Sequence, residues 1–218
     1  PKWITDIQLQ AANLAPIASE VDSLMSQRGY DPAGEFLTNI AGQESLYGHS
    51  SMYDPSQTHS MGITQIDPIR YQDMLNQIGM MEAKYPKATK GYGADARYVN
   101  EYMQSKGEGY EDFDISKLAT IEDGQYTSMS KHASNPLVNL LLTRMLLSMD
   151  KDNPIPGTSQ EQANYWDTAW NKNPEKGFPK EFLEKIDLYR AKPAKPVNEV
   201  DATMDNYLKT RGAFYGKK

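Results

Sequence analysis

Apolar residues in this chain recur at three- and four-residue steps over most of its length, and that period restricts it to a mainly helical fold. Ile7, Leu9, Leu14, Ile17, Val21, Leu24 and Met25 form the first such series. They predict an opening helix that ends before Gly29. Asp31-Pro32 supplies a cap and first-turn pair for a second helix, expected from about Pro32 to Leu46 and ending near Gly48. A polar loop runs from Gly48 to Ser60. Asp67-Pro68 restarts a helix carrying Ile69, Tyr71, Met74, Leu75 and Ile78.

Residues 79–134 are less regular. Six tyrosines lie there among glycines and short charged stretches, with one helix expected around Asp95 to Gln104. Asn135-Pro136 opens the most apolar helix, which reaches Met149 and is interrupted by Asn139, Thr143 and Arg144. Residues 152–157 form a turn cluster. Thr158, with Glu161 three residues later, is a capping-box signature for a helix through Tyr165, Trp166 and Trp170. Asn173-Pro174 and Gly177 end it, and Pro179 to Arg190 reads as a further short helix. Any β structure is expected to be minor and to lie near 48–66. The reading is one mainly α domain over 1–190, with 79–134 as an irregular Tyr/Gly-rich insertion and 191–218 as a Pro/Lys linker and basic tail.

Composition narrows the function classes. The 218 residues contain no cysteine, so thiolate nucleophiles, disulfides and zinc-thiolate sites are excluded. His49, His59 and His132 lack the spacing of a helical metal pair, and neither metal nor cofactor is expected. No run approaches the ~18 apolar residues of a membrane span. The N-terminus has no basic segment followed by an apolar one, so no secretory signal is expected in it. Net charge is −6 and pI about 5.1, which argues against nucleic acid as a partner. The charge is uneven, however. Residues 190–218 hold seven Lys and Arg against three Asp and Glu, a net +4 that leaves −10 on residues 1–189. Such a tail reads either as a docking arm or as a solvated end.

One carboxylate breaks the pattern. The apolar stripe of the second helix, Phe36, Leu37, Ile40 and Ala41, continues onto Gln43, Glu44 and Ser45. Glu44 follows Ile40 by four residues, which aims its carboxylate toward the core side at the last turn. There it must find a cation, line a cleft or gain a raised pKa. A carboxylic acid held neutral at a cleft edge is what glycosidic-bond cleavage requires, because the leaving oxygen must be protonated. The plain alternative is a glutamate that swings into solvent.

The neighbours of Glu44 read Ile40-Ala-Gly-Gln-Glu44-Ser45, then a polar loop, then Ser60-Met-Gly62-Ile63-Thr64-Gln65-Ile66-Asp67. This resembles the lysozyme-like lytic transglycosylases, whose first motif is a helix-terminal Glu-Ser and whose second is a Gly-Leu-Met-Gln segment roughly twenty residues later. Ile63 replaces the Leu and Thr64 the Met. The Gln-Ile-Asp ending and a later aromatic-rich helix are similar to transglycosylase domains carried in bacteriophage virions. The resemblance implies a lysozyme-like fold and peptidoglycan glycan strands as substrate. It also implies cleavage of the MurNAc–GlcNAc β-1,4 bond by one catalytic glutamate, Glu44. That residue would protonate the glycosidic oxygen and then act as base on the sugar 6-hydroxyl, giving a 1,6-anhydro product. Ser45, Gly62, Ile63, Thr64 and Gln65 fall at the substrate-binding positions.

The family's third motif, Ala-x-x-Tyr-Asn-x-Gly, finds its best candidate in Ala163 to Asn171, with Tyr165, Trp170 and Asn171 as substrate contacts and Trp170 in place of the expected Tyr. Packing of these aromatics onto the core is the alternative. Asp54 and Asp67 are possible second carboxylates for a muramidase-type hydrolase, though both precede proline as ordinary turn or cap pairs do. Tyr47, Tyr53, His49 and His59 occupy the loop between the motifs. The 79–134 tyrosines suit a lid, or contacts with other virion proteins alongside the basic tail. The implied location is a phage virion acting at the host periplasm or cell wall. A secreted or periplasmic bacterial enzyme with its signal removed fits the same residues, and a virion protein that keeps the fold with little activity is the rival function.

Overall fold

In the computed structural model the described residues are 2–48, 60–170 and 179–189, with side chains from Asp6 onward. They form seven α-helices and one two-stranded sheet: α1 (Lys2–Ser26), α2 (Gly34–Ser45), α3 (Pro68–Lys84), α4 (Tyr92–Ser105), β1 (Ala119–Glu122), β2 (Gln125–Met129), α5 (Pro136–Met149), α6 (Ser159–Tyr165) and α7 (Pro179–Tyr189). A 3₁₀ turn at Ile115–Lys117 precedes the sheet, and a π-helical turn, Trp166–Trp170, continues α6. The fold is mainly α. No helix among the described residues is long and apolar enough to cross a membrane.

The apolar helix α5 is the axis of the core. Leu137, Val138, Leu140, Leu141, Leu142, Met145 and Leu147 are buried around nearly its whole circumference, and it packs against α1, α2, α3 and α4. Asn135 caps it by accepting from Leu137 N (2.9 Å) and Val138 N (3.3 Å), and Pro136 follows in the first turn. In α1 the stripe Ile7, Leu14, Ile17, Val21, Leu24 and Met25 is buried, while Leu9 lies off the stripe and is 40% exposed. The Thr158–Glu161 capping box forms at the start of α6.

Two expectations are corrected. The second helix is not capped by Asp31-Pro32. It starts at Gly34, and the cap comes from α1, where Asp22 accepts from Ala33 N (2.8 Å) and Gly34 N (2.7 Å). A carboxylate from a neighbouring helix thus satisfies two of the orphan N–H donors of α2. Among the described residues the strands do not lie at 48–66 either. The described part of that region, 48 and 60–66, contributes one bridge, Met61 to Ile66, and the strands lie in the stretch expected to be irregular. Asp123 (φ 51°) and Gly124 (φ 73°) make the two-residue turn between β1 and β2, a geometry that needs two left-handed residues in succession. Tyr126 projects from β2 into the core and donates to Ile66 O (3.0 Å). Helix α4 packs on α3, so much of 79–134 belongs to the body of the domain. The Pro/Lys linker and basic tail, 191–218, lie outside the described residues.

Asp22→Ala should remove both charge-assisted bonds at the start of α2 and destabilise the chain by about 2 kcal/mol, roughly 4–8 °C in Tm. Thermal denaturation followed by circular dichroism checks this. Asp31→Ala should shift the midpoint far less.

Candidate active site

Helix α2 ends in an abrupt reversal. Leu46 (φ 50°), Tyr47 (φ 58°) and Gly48 (φ 82°) are all left-handed, and Tyr47 N reaches back to Ala41 O (3.0 Å) to close the helix. The Tyr47 ring lies against the helix backbone at Gly42, where a Cβ would stand 2.5 Å from it. Ser45 is buried at this end. Its hydroxyl donates across 2.7 Å to Ile63 O, with Ala41 O also within 3.1 Å, and accepts from Gly48 N (2.8 Å). The last turn of α2 and the Gly62–Gln65 segment, eighteen residues apart in sequence, are thereby joined side chain to backbone.

The second segment is a tight turn closed by paired bonds between Met61 and Ile66, both 2.9 Å. Asn139, from the core of α5, holds it from inside. Its amide donates to Met61 O (3.2 Å), and its carbonyl accepts from Thr64 N (3.0 Å) and the Thr64 hydroxyl (2.7 Å). Thr143 meets the same hydroxyl at 2.6 Å. Gly62 (φ 72°) sits directly over Asn139, and a Cβ there would come within 1.8 Å of the amide nitrogen. Any side chain would therefore break the clamp as well as strain the backbone. Gln65 (φ 51°) folds back and donates to Gly62 O (2.8 Å).

The substrate-position residues thus separate into two groups. Ile63 and Thr64 are both 0% exposed. Ile63 offers its carbonyl to Ser45 and Thr64 faces α5, so both act in holding the turn. Gly62 and Gln65 retain exposed surface.

Glu44 lies at the end of α2 with part of its surface open, but its carboxyl group is largely withdrawn from water. Trp166 Nε1 donates to its Oε1 at 2.8 Å. That withdrawal pushes the Glu44 pKa above the ordinary carboxylate value. The Trp166 bond, the Lys185 and Arg70 charges and a bond from Trp170 oppose the rise without cancelling it. Lys185 reaches in from α7, bonded to Gln43 O (3.3 Å) and paired with Glu181 (3.0 Å). Arg70, in the first turns of α3, donates through one nitrogen to Ala169 O (2.7 Å) and Trp170 O, and its guanidinium lies 4.7 Å from the centre of the Trp170 ring.

Among the aromatics of the third segment, Trp166 and Trp170 both bear on Glu44, Trp166 through the 2.8 Å bond. Tyr165 points the other way, packs edge-on against Phe36 (5.2 Å) and donates to Asp150 (2.9 Å). Trp170 backs the site, its ring shared with Arg70. Asp67 accepts from Ile69 N (2.7 Å) as the cap of α3. Asn171, His49, Tyr53, Asp54 and His59 lie outside the described residues. His132 is remote in role, stacked on Tyr110 (5.4 Å) and bonded to Asp112 (3.2 Å). Among the described residues no group of three or more His, Asp or Glu is placed to hold a metal ion.

Trp166, Arg70, Lys185 and Asn139 were not among the sequence-based candidates. Trp166 and Trp170 are four apart and share a helix face that Tyr165 leaves, so the period carried that signal. The interruption of an apolar helix by Asn139 and Thr143 was likewise visible. Nothing in the sequence marked Arg70 or Lys185, because their approach to Glu44 depends on tertiary packing.

A cleft of about 460 Å³ opens between α3, the end of α5 and the π-helical turn. Arg70 and Trp170 form one of its walls and Glu44 does not line it. No family model matches the chain, and no curated protein or solved structure is similar to it at a significant level.

Two outcomes follow from this geometry. Asn139→Ala removes one bond each from Met61 O and the Thr64 hydroxyl, takes from Thr64 N its described partner, and should cost about 3 kcal/mol, measured by urea denaturation. Glu44 has a folded-state pKa above its unfolded one, so the folded chain holds this proton more tightly. Its contribution to stability is full below the ordinary carboxylate pKa and is lost as pH rises through the raised value. The stability of Glu44→Gln minus that of wild type should therefore increase with pH across that window and level off above it.

Proposed function

We propose that the chain is a lysozyme-like lytic transglycosylase that cleaves the β-1,4 bond between N-acetylmuramic acid and N-acetylglucosamine in peptidoglycan. The observation that carries this reading is the Glu44 carboxyl, desolvated at a helix end and oriented by Trp166. The Glu44-Ser45 and Gly62–Gln65 segments, which carry the sequence resemblance, are also bonded to each other. Burial favours the protonated acid needed to protonate the leaving oxygen. Once that proton is given up, Arg70 and Lys185 offset the charge on the carboxylate, which then takes the proton of the sugar 6-hydroxyl as that oxygen closes on the anomeric carbon. The product is a 1,6-anhydro ring, and no water enters. Ser45 positions Glu44 through the turn. Gly62 and Gln65 present backbone and amide groups on the exposed side of that turn.

The commitment of Asp67 to capping α3 supports the one-carboxylate route over an inverting hydrolase, which needs a second carboxylate across a water. A virion enzyme that opens the host wall during infection is the setting we favour, from the resemblance of the motifs to virion-borne domains.

In a peptidoglycan zymogram the wild type should clear the gel. Glu44→Gln, which keeps an acceptor for Trp166, should lose at least about 10³-fold in rate with a native fold, the scale expected when the group that transfers the proton is removed. Released muropeptides should carry anhydro ends by mass spectrometry. Reducing ends would indicate hydrolysis, and no clearing by the wild type would favour a structural virion protein with this fold.

A further inference from the structure

The cleft beside the site has chemistry that the glycan reaction does not use. Helix α3 presents Arg70, Asp73, Met74 and Gln77 to it, positions i, i+3, i+4 and i+7 of one face. Leu146 and Met149, from the end of α5, add apolar lining, with Asp150 at the margin.

Neutral sugars bind to free aromatic faces, and here the aromatics are taken. The Trp170 ring carries the Arg70 guanidinium (4.7 Å). Tyr165 is edge-on to Phe36, with its hydroxyl on Asp150. Charged groups of both signs do stay open. Asp73 is exposed and has no ion pair or hydrogen bond among the described residues. Arg70 uses one terminal nitrogen for two backbone carbonyls and has no described partner for its other N–H donors. Asp150 is already shared between Tyr165 and Asn153 (3.1 Å), which leaves Asp73 as the free acceptor.

From this we infer that the cleft binds a short zwitterionic peptide, its carboxylate on Arg70, its ammonium on Asp73 and its aliphatic part over Met74, Leu146 and Met149. Given the reading of Glu44 above, on which the peptide's identity rests, the ligand is the peptide stem of the glycan strand. Arg70 and Trp170 are common to both sites, so a stem seated here would hold its own sugar against the wall that backs Glu44.

The test is calorimetric titration of the full-length wild-type chain with a synthetic stem tetrapeptide that has a free amine and free carboxylates. Saturable binding is expected. Asp73→Asn, an exposed substitution, should weaken it about tenfold. Thr168→Trp, which fills the rim of the cleft, should abolish it with an unchanged melting temperature. Absence of peptide binding, binding indifferent to both variants, or displacement of the peptide by a peptide-free N-acetylglucosamine oligomer would each overturn the inference and leave the Glu44 chemistry standing. Peptide binding by a chain that fails to cleave whole peptidoglycan would support the cleft as a peptide site and remove the transglycosylase reading.

Discussion

A turn of backbone buried against an apolar helix is costly unless each of its polar groups finds a partner, because water cannot supply one. The segment from Met61 to Ile66 meets most of that requirement with its own paired bonds, with Asn139 and Thr143 from α5, and with Ser45 from α2. The rest of the site depends on this arrangement. Ser45 fixes the end of α2 to the turn, the left-handed residues after it hold the reversal, and Glu44 is thereby kept beside Trp166 instead of swinging outward. Each member satisfies a group that another leaves open, so removing one exposes several.

The environment of Glu44 balances two opposed requirements. Desolvation favours the neutral acid, and cations favour the carboxylate. Trp166 contributes a donor without formal charge, which orients the group while stabilising the anion less than an ammonium at the same distance would. The cations stand further back, Lys185 on α7 and Arg70 on α3, each already engaged with backbone carbonyls. In the proposed reaction the group acts first as acid and then as base, and the two opposed influences bear on one step each.

The helices were legible in the sequence because each buries a stripe of the expected period and several carry their own caps, as Asn135-Pro136 and Thr158–Glu161 do. The cap of α2 was not, since Asp22 belongs to another helix and its approach is set by packing. The β-hairpin was marked by Asp123-Gly124 between Ile121 and Tyr126, but the tyrosines and glycines around it dominated the reading of 79–134 as irregular. At the site, the spacing of Glu44-Ser45 and Gly62–Gln65 was visible, and so was their polar character. Their connection through a serine hydroxyl and a backbone carbonyl was not, because no residue type at position 63 announces that its carbonyl will accept. Thr64 illustrates the difference. It departs from an apolar motif position, and in place it is one half of a buried pair with Thr143.

The π-helical turn at Trp166–Trp170 explains why an arginine stands where it does. The last carbonyls of a helical segment have no partner within it and must be satisfied from elsewhere. The Arg70 guanidinium takes up two of these, Ala169 O and Trp170 O, while lying over the Trp170 ring. From the same turn Trp166 donates to Glu44. One short turn thus supplies the donor that orients the acid, offers the acceptors that fix a cation within its field, and through Trp170 walls the neighbouring cleft. Unwinding the turn would withdraw those carbonyls, and Arg70 would lose the anchors that hold it beside both Glu44 and the cleft.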